Sequence, residues 1–195
     1  MRVINTNLTP TKQEWETALQ VFPEANFLQS WNWGVFHENS GKTVIRLVCY
    51  SKKEAVKTDV VVAVAQLGLE KAKRGTYFTL AGGPLLDWND EVVRTFLFEK
   101  IKTLAKEYSA DFIRLRPQEL ESAQMQTILK NIAARPSPMH LTADVTLELD
   151  ITQTPEELLA QMRKNHRSAI KKAEKLGITV TQTTDPGAIK EFYEQ

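Results

Sequence analysis

A run of basic residues in the last fifth of the chain carries the strongest chemical signal in the sequence. Between Arg163 and Lys175 there are six basic residues and one acidic residue, a net charge of +5, whereas the rest of the chain holds 19 basic and 23 acidic residues. Arg163, Arg167 and Lys171 recur at intervals of four and share one face if the segment is helical. Because like charges at this spacing oppose helix formation slightly, an anionic partner would explain them. The alternative is a solvated basic face.

A second candidate for anion binding is a pair of arginines two residues apart. Arg114 and Arg116 share a face if their segment is a strand, and we expect Phe112, Ile113 and Leu115 to enter the core. Two guanidinium groups at a strand end suit a phosphate or a carboxylate, which they can bind through paired hydrogen bonds. A surface pair without a ligand is the alternative.

Aromatic and glycine residues supply further candidates for substrate contacts. Trp31 and Trp33 could line a sugar or a peptide, although tryptophan buries so much apolar area that we expect at least one to pack in the core. Gly82 and Gly83, followed by Pro84, permit a close approach of the backbone to a substrate. A simple turn explains the same residues equally well.

The sequence lacks the signatures of a nucleotide cofactor, of a metal site and of a signal for export. The three histidines, His37, His140 and His166, lack the spacing of metal ligands, and we find no glycine-rich nucleotide-binding motif. A single cysteine, Cys49, cannot form an internal disulfide. No signal peptide and no apolar run of about 18 residues is present. We therefore expect a cytoplasmic protein without a metal.

The composition is that of a globular protein: 42% of the 195 residues are hydrophobic and 25% are charged. Periodicity and capping signals up to residue 133 predict a strand, two helices, three strands, a helix, a strand and a helix. This is the order of elements in the GNAT acyltransferase fold. The predicted bounds are a strand at 2–4, helices at 11–21 and 30–41, strands at 43–50, 59–69 and 76–80, a helix at 90–108, a strand at 111–116 and a helix at 118–133.

The remaining residues predict the start of another unit. A strand is expected at 141–150, one helix from Pro155 to Leu176 that ends at Gly177, a strand at 178–183, and a further helix from Pro186. That last helix shows an apolar face and nothing follows it. We therefore expect a first domain over 1–138 and the beginning of a second, incomplete domain over 139–195.

Three segments resemble the Fem family, which is built from two GNAT-like domains. Phe27–Phe36 is similar to an early aromatic segment with the pattern Q-S-x-x-W-G, and Gly82–Leu85 is similar to a Gly-Gly-Pro turn after a short aromatic strand. Met162–Val180 resembles the pattern R-x-x-I-x-K-A-x-x-x-G-v-x-v. Arg114–Pro117 fits the basic end of a strand before a proline.

The resemblance implies an α/β fold with a mixed sheet, in which a GNAT-like acyltransferase domain precedes an incomplete second one. It implies that an amino acid moves from aminoacyl-tRNA to an amine of a lipid-linked or nucleotide-linked peptidoglycan precursor, without a cofactor. Substrate-binding residues expected from these motifs and basic segments are Trp31, Trp33, His37, Gly82, Gly83, Arg114, Arg116, Arg163, Arg167 and Lys171.

His37 departs from the family pattern, since it stands where relatives often have a lysine that contacts the acceptor diphosphate. No residue is identified as a general base, so the catalytic residues stay unassigned. A peripheral contact with the inner face of the membrane is a further expectation. The rival functions are a related N-acyltransferase with a lipid or protein acceptor, and a non-catalytic module that binds RNA or another anion through the basic helix.

Overall fold

The computed structural model describes residues 3–52, 59–73, 75–138, 145 and 147–194. The chain divides into two compact units, Met1–Met139 and His140–Gln195.

The first unit has the predicted order of elements with one addition, a two-residue strand after the glycine turn. Its elements are β1 (Ile4–Asn7), α1 (Lys12–Leu19), α2 (Trp31–Asn39), β2 (Thr43–Lys52), β3 (Asp59–Ala72), β4 (Gly75–Ala81), β5 (Leu85–Leu86), α3 (Glu91–Glu107), β6 (Phe112–Arg116) and α4 (Ala123–Asn131). The first strand lies later than predicted, because it forms where the chain pairs with β2 and not where it is most apolar. Helix α4 is shorter than predicted and begins at Ala123, directly after the cap residue Ser122.

The strands form one mixed sheet in the order β1-β2-β3-β4-β6. Neighbours are antiparallel except β4 and β6, which are parallel and are joined by the crossover helix α3. The long strand β3 pairs with β4 near its end and with β5 nearer its start. The turn at Gly82 and Gly83 therefore carries the chain from the part of β3 that pairs with β4 to the part that pairs with β5. Strand β6 is the last strand in the sheet order.

The two faces of the sheet carry separate cores. Helices α3 and α4 cover one face, where residues such as Leu47, Phe78, Leu97 and Ile101 pack together, and Cys49 is buried among them. Helix α1 covers part of the other face. Its core consists of Trp15, Ala18, Leu19, Val48, Val64 and Leu85. Trp15 and Leu97 are fully buried. Ile113 and Leu115, which we expect in the core, are half-buried and pack against it, as does Phe96.

The second unit contains three helices among its described residues: α5 (Pro155–Gln161), α6 (Lys164–Lys175) and α7 (Gly187–Tyr193). The prediction of a single helix over 155–176 is wrong, because Met162 and Arg163 are extended, each with ψ of 149°. The strand predicted at 178–183 is absent from these described residues. Residues 145 and 147–150 also form no strand, and the rest of the predicted strand at 141–150 lies outside the described residues.

Candidate functional site

The aromatic segment before α2 is anchored by one buried glutamine. A 3-10 turn covers Phe27–Gln29, and Ser30 then caps α2 by accepting a hydrogen bond from the backbone of Trp33. The Gln29 side chain is 1% exposed. Its amide nitrogen donates to Ala81 O at 2.8 Å, and its oxygen accepts from the backbone N–H of Gln66 at 2.9 Å. Gln29 thus joins the segment to β3 and to the end of β4.

A buried arginine fixes Trp31. The guanidinium carbon of Arg46 lies 4.0 Å from the centre of the Trp31 ring, which is within the range of a cation–π contact. Arg46 also donates to Gln66 Oε1 at 3.0 Å and pairs with Glu38 at 2.8 Å. Trp31 is half-buried and packs against the core under α1. Trp31 is therefore surrounded as a packing residue is. The cost of burying Arg46 is offset by its contacts with Trp31, Gln66 and Glu38.

Trp33 belongs to an aromatic group on the surface of α2. Its ring stacks on Phe36 with centroids 5.2 Å apart, and meets Phe27 and His37 edge-on at 5.4 Å and 5.1 Å. Phe27 and Phe36 are 66% and 55% exposed. Flat apolar rings exposed in this way can pack against the apolar faces of sugars or peptides, which is the contact expected for Trp33 from the sequence.

His37 lines a cavity of about 20 Å³ between α2 and the sheet, together with Trp33, Gly68, Thr79 and Ala81. Among the described residues its Nδ1 is buried without a hydrogen-bond partner. Loss of solvation, and then the charge of Lys42, lower the pKa of His37. The imidazole is therefore neutral at pH 7, so it cannot supply the positive charge of a lysine.

The glycine turn is packed closely against the aromatic segment. Asn26 donates to Gly82 O at 2.8 Å, and Gly82 has φ of +64°, a conformation that glycine adopts at no steric cost. A Cβ atom on Gly83 would lie 2.8 Å from the Gln29 amide group. Both glycines are thus required for packing on Asn26 and Gln29, which favours a structural role over direct substrate contact.

Arg114 lies on the face of β4 and β6 that is opposite to α3 and α4. Tyr77 and Phe112 are paired across these strands, and their rings stack with centroids 4.6 Å apart and planes at 9°. The guanidinium carbon of Arg114 is 5.5 Å from the Tyr77 ring centre and 5.9 Å from that of Phe112. The expectation that Phe112 enters the core is wrong, because it alternates in phase with Arg114 and is 44% exposed.

The cavity and the arginine strand lie on the same side of the sheet. Thr79 lines the cavity and is the register partner of Arg114, and Ala81 lines it and is the partner of Arg116. Directly paired residues project to the same face, so the α2 surface with Trp33 and His37 borders the open part of β4 and β6. The first unit therefore brings four of the predicted residues to one surface: Trp33, His37, Arg114 and Arg116.

In the second unit the basic residues do not form one continuous helical face. Arg163 precedes α6 as its N-cap residue, while Arg167 and Lys171 lie within the helix. The Arg167 guanidinium donates to the carbonyl groups of Ala160 and Met162, so it ties α6 to the end of α5. This contact gives Arg167 a structural role within the unit.

Several residues of the site were missed by the sequence analysis. Arg46, Gln66 and Gln29 hold the aromatic segment, and their partners lie between 8 and 52 positions away along the chain. A second cavity, of about 420 Å³, has an acidic rim that includes Asp87 and Glu119. Burial, and then the charges of Glu24 and Asp87, raise the pKa of Glu119. None of these groupings corresponds to a local motif.

Comparison with known proteins connects this geometry to a family. The model described as the FemAB family matches residues 11–137, which is most of the first unit. The chain belongs to the FemAB family. The resemblance inferred from Phe27–Phe36 and the Gly-Gly-Pro turn is therefore confirmed.

Solved structures agree at the level of the fold. The chain matches a crystal structure of FemX with 22% identity and a TM-score of 0.73, over 97% of this chain and 48% of FemX. It also matches a Trypanosoma brucei acetyltransferase with 10% identity and a TM-score of 0.50, over 73% of this chain and 100% of the other. The chain thus spans about half the length of the FemX structure. At these identities the likeness concerns the fold, and it confirms the mixed GNAT-like sheet.

No curated protein matches the chain. Within the part of this FemAB chain that the structure describes, no helix is both long enough and apolar enough to cross a membrane.

Proposed function

We propose that this chain is part of an aminoacyltransferase that transfers an amino acid from aminoacyl-tRNA to the stem peptide of a peptidoglycan precursor. The observation that carries the proposal is the FemAB match over residues 11–137, the unit in which Arg114 lies beside an open aromatic surface. The second unit would begin the other GNAT-like domain. The reaction would take place in the cytoplasm and would need no cofactor, since the tRNA ester already activates the amino acid.

The chemistry is the conversion of an ester to an amide. A neutral amine of the stem peptide attacks the carbonyl carbon of the aminoacyl ester, and a C–N bond forms. The C–O bond to the terminal ribose of the tRNA breaks, and the proton lost by the amine ends on the released ribose hydroxyl. Donors are needed for the oxygen that becomes negative in the tetrahedral intermediate.

The residues of the first unit have distinct roles in this proposal. Arg114 and Arg116 would bind the acceptor diphosphate, because guanidinium groups match phosphate oxygens. Trp33 would contact the acceptor sugar or peptide. His37, being neutral, would accept or donate a hydrogen bond in place of the ionic contact of a lysine. Gln29 and Arg46 position the segment that carries Trp33 and His37.

The basic segment of the second unit would attract the tRNA or the diphosphate through charge. Arg163 and Lys171 are exposed, whereas Arg167 also holds α5 and α6 together. If these contacts form, the affinity for tRNA should fall steeply as the salt concentration rises, because each neutralised phosphate releases counterions.

A transfer assay tests the proposal. The chain is incubated with a set of labelled aminoacyl-tRNAs and with a nucleotide-linked or a lipid-linked muramyl pentapeptide. We expect the precursor to gain the mass of one aminoacyl residue, and treatment with ribonuclease should abolish the gain. Arg114→Ala should lower the rate by about tenfold or more, the scale of a lost charged hydrogen bond. Arg135→Ala, which changes an exposed arginine of the same unit, should not.

An unchanged precursor mass with every donor and both acceptors, for a chain whose circular dichroism shows it folded, would contradict the assignment. Equal losses in Arg114→Ala and Arg135→Ala would remove Arg114 from the site.

A further inference from the structure

We infer that the second cavity of the first unit binds an organic diamine, a small molecule with two ammonium groups on an aliphatic chain. The cavity has a volume of about 420 Å³, which is the size of a small-molecule site. It lies where three loops meet: the segment after α1, the turn between β5 and α3, and the segment after β6. It shares no lining residue with the surface that carries Trp33 and Arg114, and the inference does not depend on the proposed function.

The first observation is that the walls of the cavity are apolar and held in place. Phe22, Leu86 and Trp88 line it, and the last two belong to the core of the sheet. The buried side chain of Arg94 donates a hydrogen bond to Trp88 O, and the Trp88 ring packs on Phe98 with centroids 6.0 Å apart. The apolar part of the site is therefore preformed, so a ligand with an aliphatic chain loses little free energy to ordering it.

The second observation is the negative charge at the rim. Glu24, Asp87 and Glu119 line the cavity, and among the described residues no lysine or arginine forms an ion pair with any of them. Partial burial, and then the charges of Glu24 and Asp87, raise the pKa of Glu119, so the three carboxyl groups repel one another. A cation between them would relieve this repulsion, because an opposite charge favours the ionised form of a carboxyl group.

The two observations together select the class of ligand. Among the described residues no three carboxylate, imidazole or thiol groups are placed to hold a metal ion, and a metal ion would leave the apolar walls in contact with water. A monoamine covers the walls but brings one charge to three carboxylates. A diamine such as 1,5-diaminopentane covers the walls with its methylene groups and forms charged hydrogen bonds with more than one carboxylate.

Calorimetric titration of the full chain at pH 7 with 1,5-diaminopentane tests the inference. The diamine should bind about tenfold more tightly than pentylamine, which has the same chain and lacks one charged contact. Methylammonium should bind more weakly than pentylamine, by about fourfold for each methylene group that the walls bury. 1,5-Pentanediol, which has the chain without the charges, should bind more weakly than pentylamine.

Two of the carboxylates can be changed without altering the walls. Glu119→Gln and Glu24→Gln keep the shape of the side chain and remove its charge, and each should weaken 1,5-diaminopentane about tenfold. Both glutamates are exposed, so the thermal midpoints should stay close to that of the unaltered chain. Asp87 is left unchanged because it also accepts a hydrogen bond from the backbone N–H of Asn89 at 2.9 Å.

Glu107→Gln is the matched control, because it removes an exposed carboxylate at the other end of α3, and it should leave the affinity unchanged. A loss in Glu107→Gln as large as that in Glu119→Gln would show that the diamine responds to the overall charge of the chain and not to this cavity, and would overturn the inference. Equal affinities for 1,5-diaminopentane and pentylamine would assign the site to a single ammonium group, such as that of a lysine side chain, and would also overturn it. So would displacement of the diamine by an equal concentration of Mg²⁺, or the absence of diamine binding to the folded chain.

Discussion

Helices α1 and α5 begin with the same capping box but differ in what they bury. In α1 the backbone N–H of Thr11 donates to Glu14 Oε2 at 2.7 Å, and in α5 that of Thr154 donates to Glu157 Oε2 at 2.8 Å. Helix α1 buries Trp15, Ala18 and Leu19 against the sheet, whereas α5 buries no residue. A cap determines where a helix starts, but burial depends on what the rest of the chain places beside it.

The difference extends to polar partners. The indole N–H of Trp15 donates to Gln29 O at 2.8 Å, so α1 is joined to the segment that carries the candidate site. The described residues of the second unit include no buried side chain, and apolar residues such as Val180 and Phe192 are 95% and 75% exposed. Stability and site geometry are therefore coupled in the first unit through α1.

The largest expected effect comes from Trp15→Ala. The side chain is fully buried, and its loss should lower the free energy of unfolding by about 3–5 kcal/mol through lost transfer energy and a cavity. Leu158→Ala changes the position one turn after the cap in α5, where the side chain is only half-buried, and should cost less than about 1 kcal/mol. Urea denaturation followed by circular dichroism measures both.

Equal costs for Trp15→Ala and Leu158→Ala would contradict the comparison, because they would show that α5 packs as tightly as α1.

The next effect in size is that of Gln29→Ala. It leaves Ala81 O and the Gln66 N–H buried without this partner, so we expect a loss of about 1–3 kcal/mol in the free energy of unfolding. Gln161→Ala removes an exposed side-chain bond to Gln153 in the second unit and should stay within about 0.5 kcal/mol. Thermal unfolding of the two variants beside the unaltered chain is the measurement. A loss in Gln161→Ala as large as that in Gln29→Ala would show that the exposed bond matters as much as the buried one.

Most of the first unit could be predicted from its sequence because its signals are local. Ser30 and Asp90 cap α2 and α3 as their types indicate, and the alternation of Ile45, Leu47 and Cys49 gives the buried face of β2. Alternation along β6 also places Phe112 on the face of Arg114. The prediction that Phe112 enters the core was wrong because it rested on the hydrophobicity of Phe112 alone.

The rest could not be predicted, since it depends on distant partners. Ile178 and Val180 alternate as a strand does, yet the described chain offers them no strand to pair with. Glutamine is a common surface residue, so the residue type alone does not predict that Gln29 and Gln66 are buried. Their role as anchors depends on a contact between residues 37 positions apart in the sequence. The break at Met162 and Arg163 has no glycine or proline to announce it.

The smallest expected effect is a pH dependence of the α1 cap. The hydrogen bond from the Thr11 backbone, and then that from its side chain, lower the pKa of Glu14 below its usual value near 4.5. A carboxyl group with a lower pKa in the folded state stabilises the fold above its unfolded pKa, and this stabilisation is lost as the pH falls through the folded pKa.

Glu14→Gln keeps an oxygen that can accept the bond and removes only the charge. The variant should therefore be slightly less stable than the unaltered chain at pH 7, and the difference should shrink as the pH falls from 4.5 through the lowered pKa of the folded state. The pKa of Glu157 is lowered too, through the same kind of cap with Thr154, but α5 buries nothing. Glu157→Gln should therefore leave the unfolding of the first unit unchanged at pH 7 and at pH 3, because the helix that Glu157 caps buries no residue. Urea denaturation of the three proteins, followed by the fluorescence of the four tryptophans, all of which lie in the first unit, makes the comparison. A difference for Glu14→Gln that does not shrink between pH 7 and pH 3 would show that the substitution acts through shape and not through the charge of the capping carboxylate.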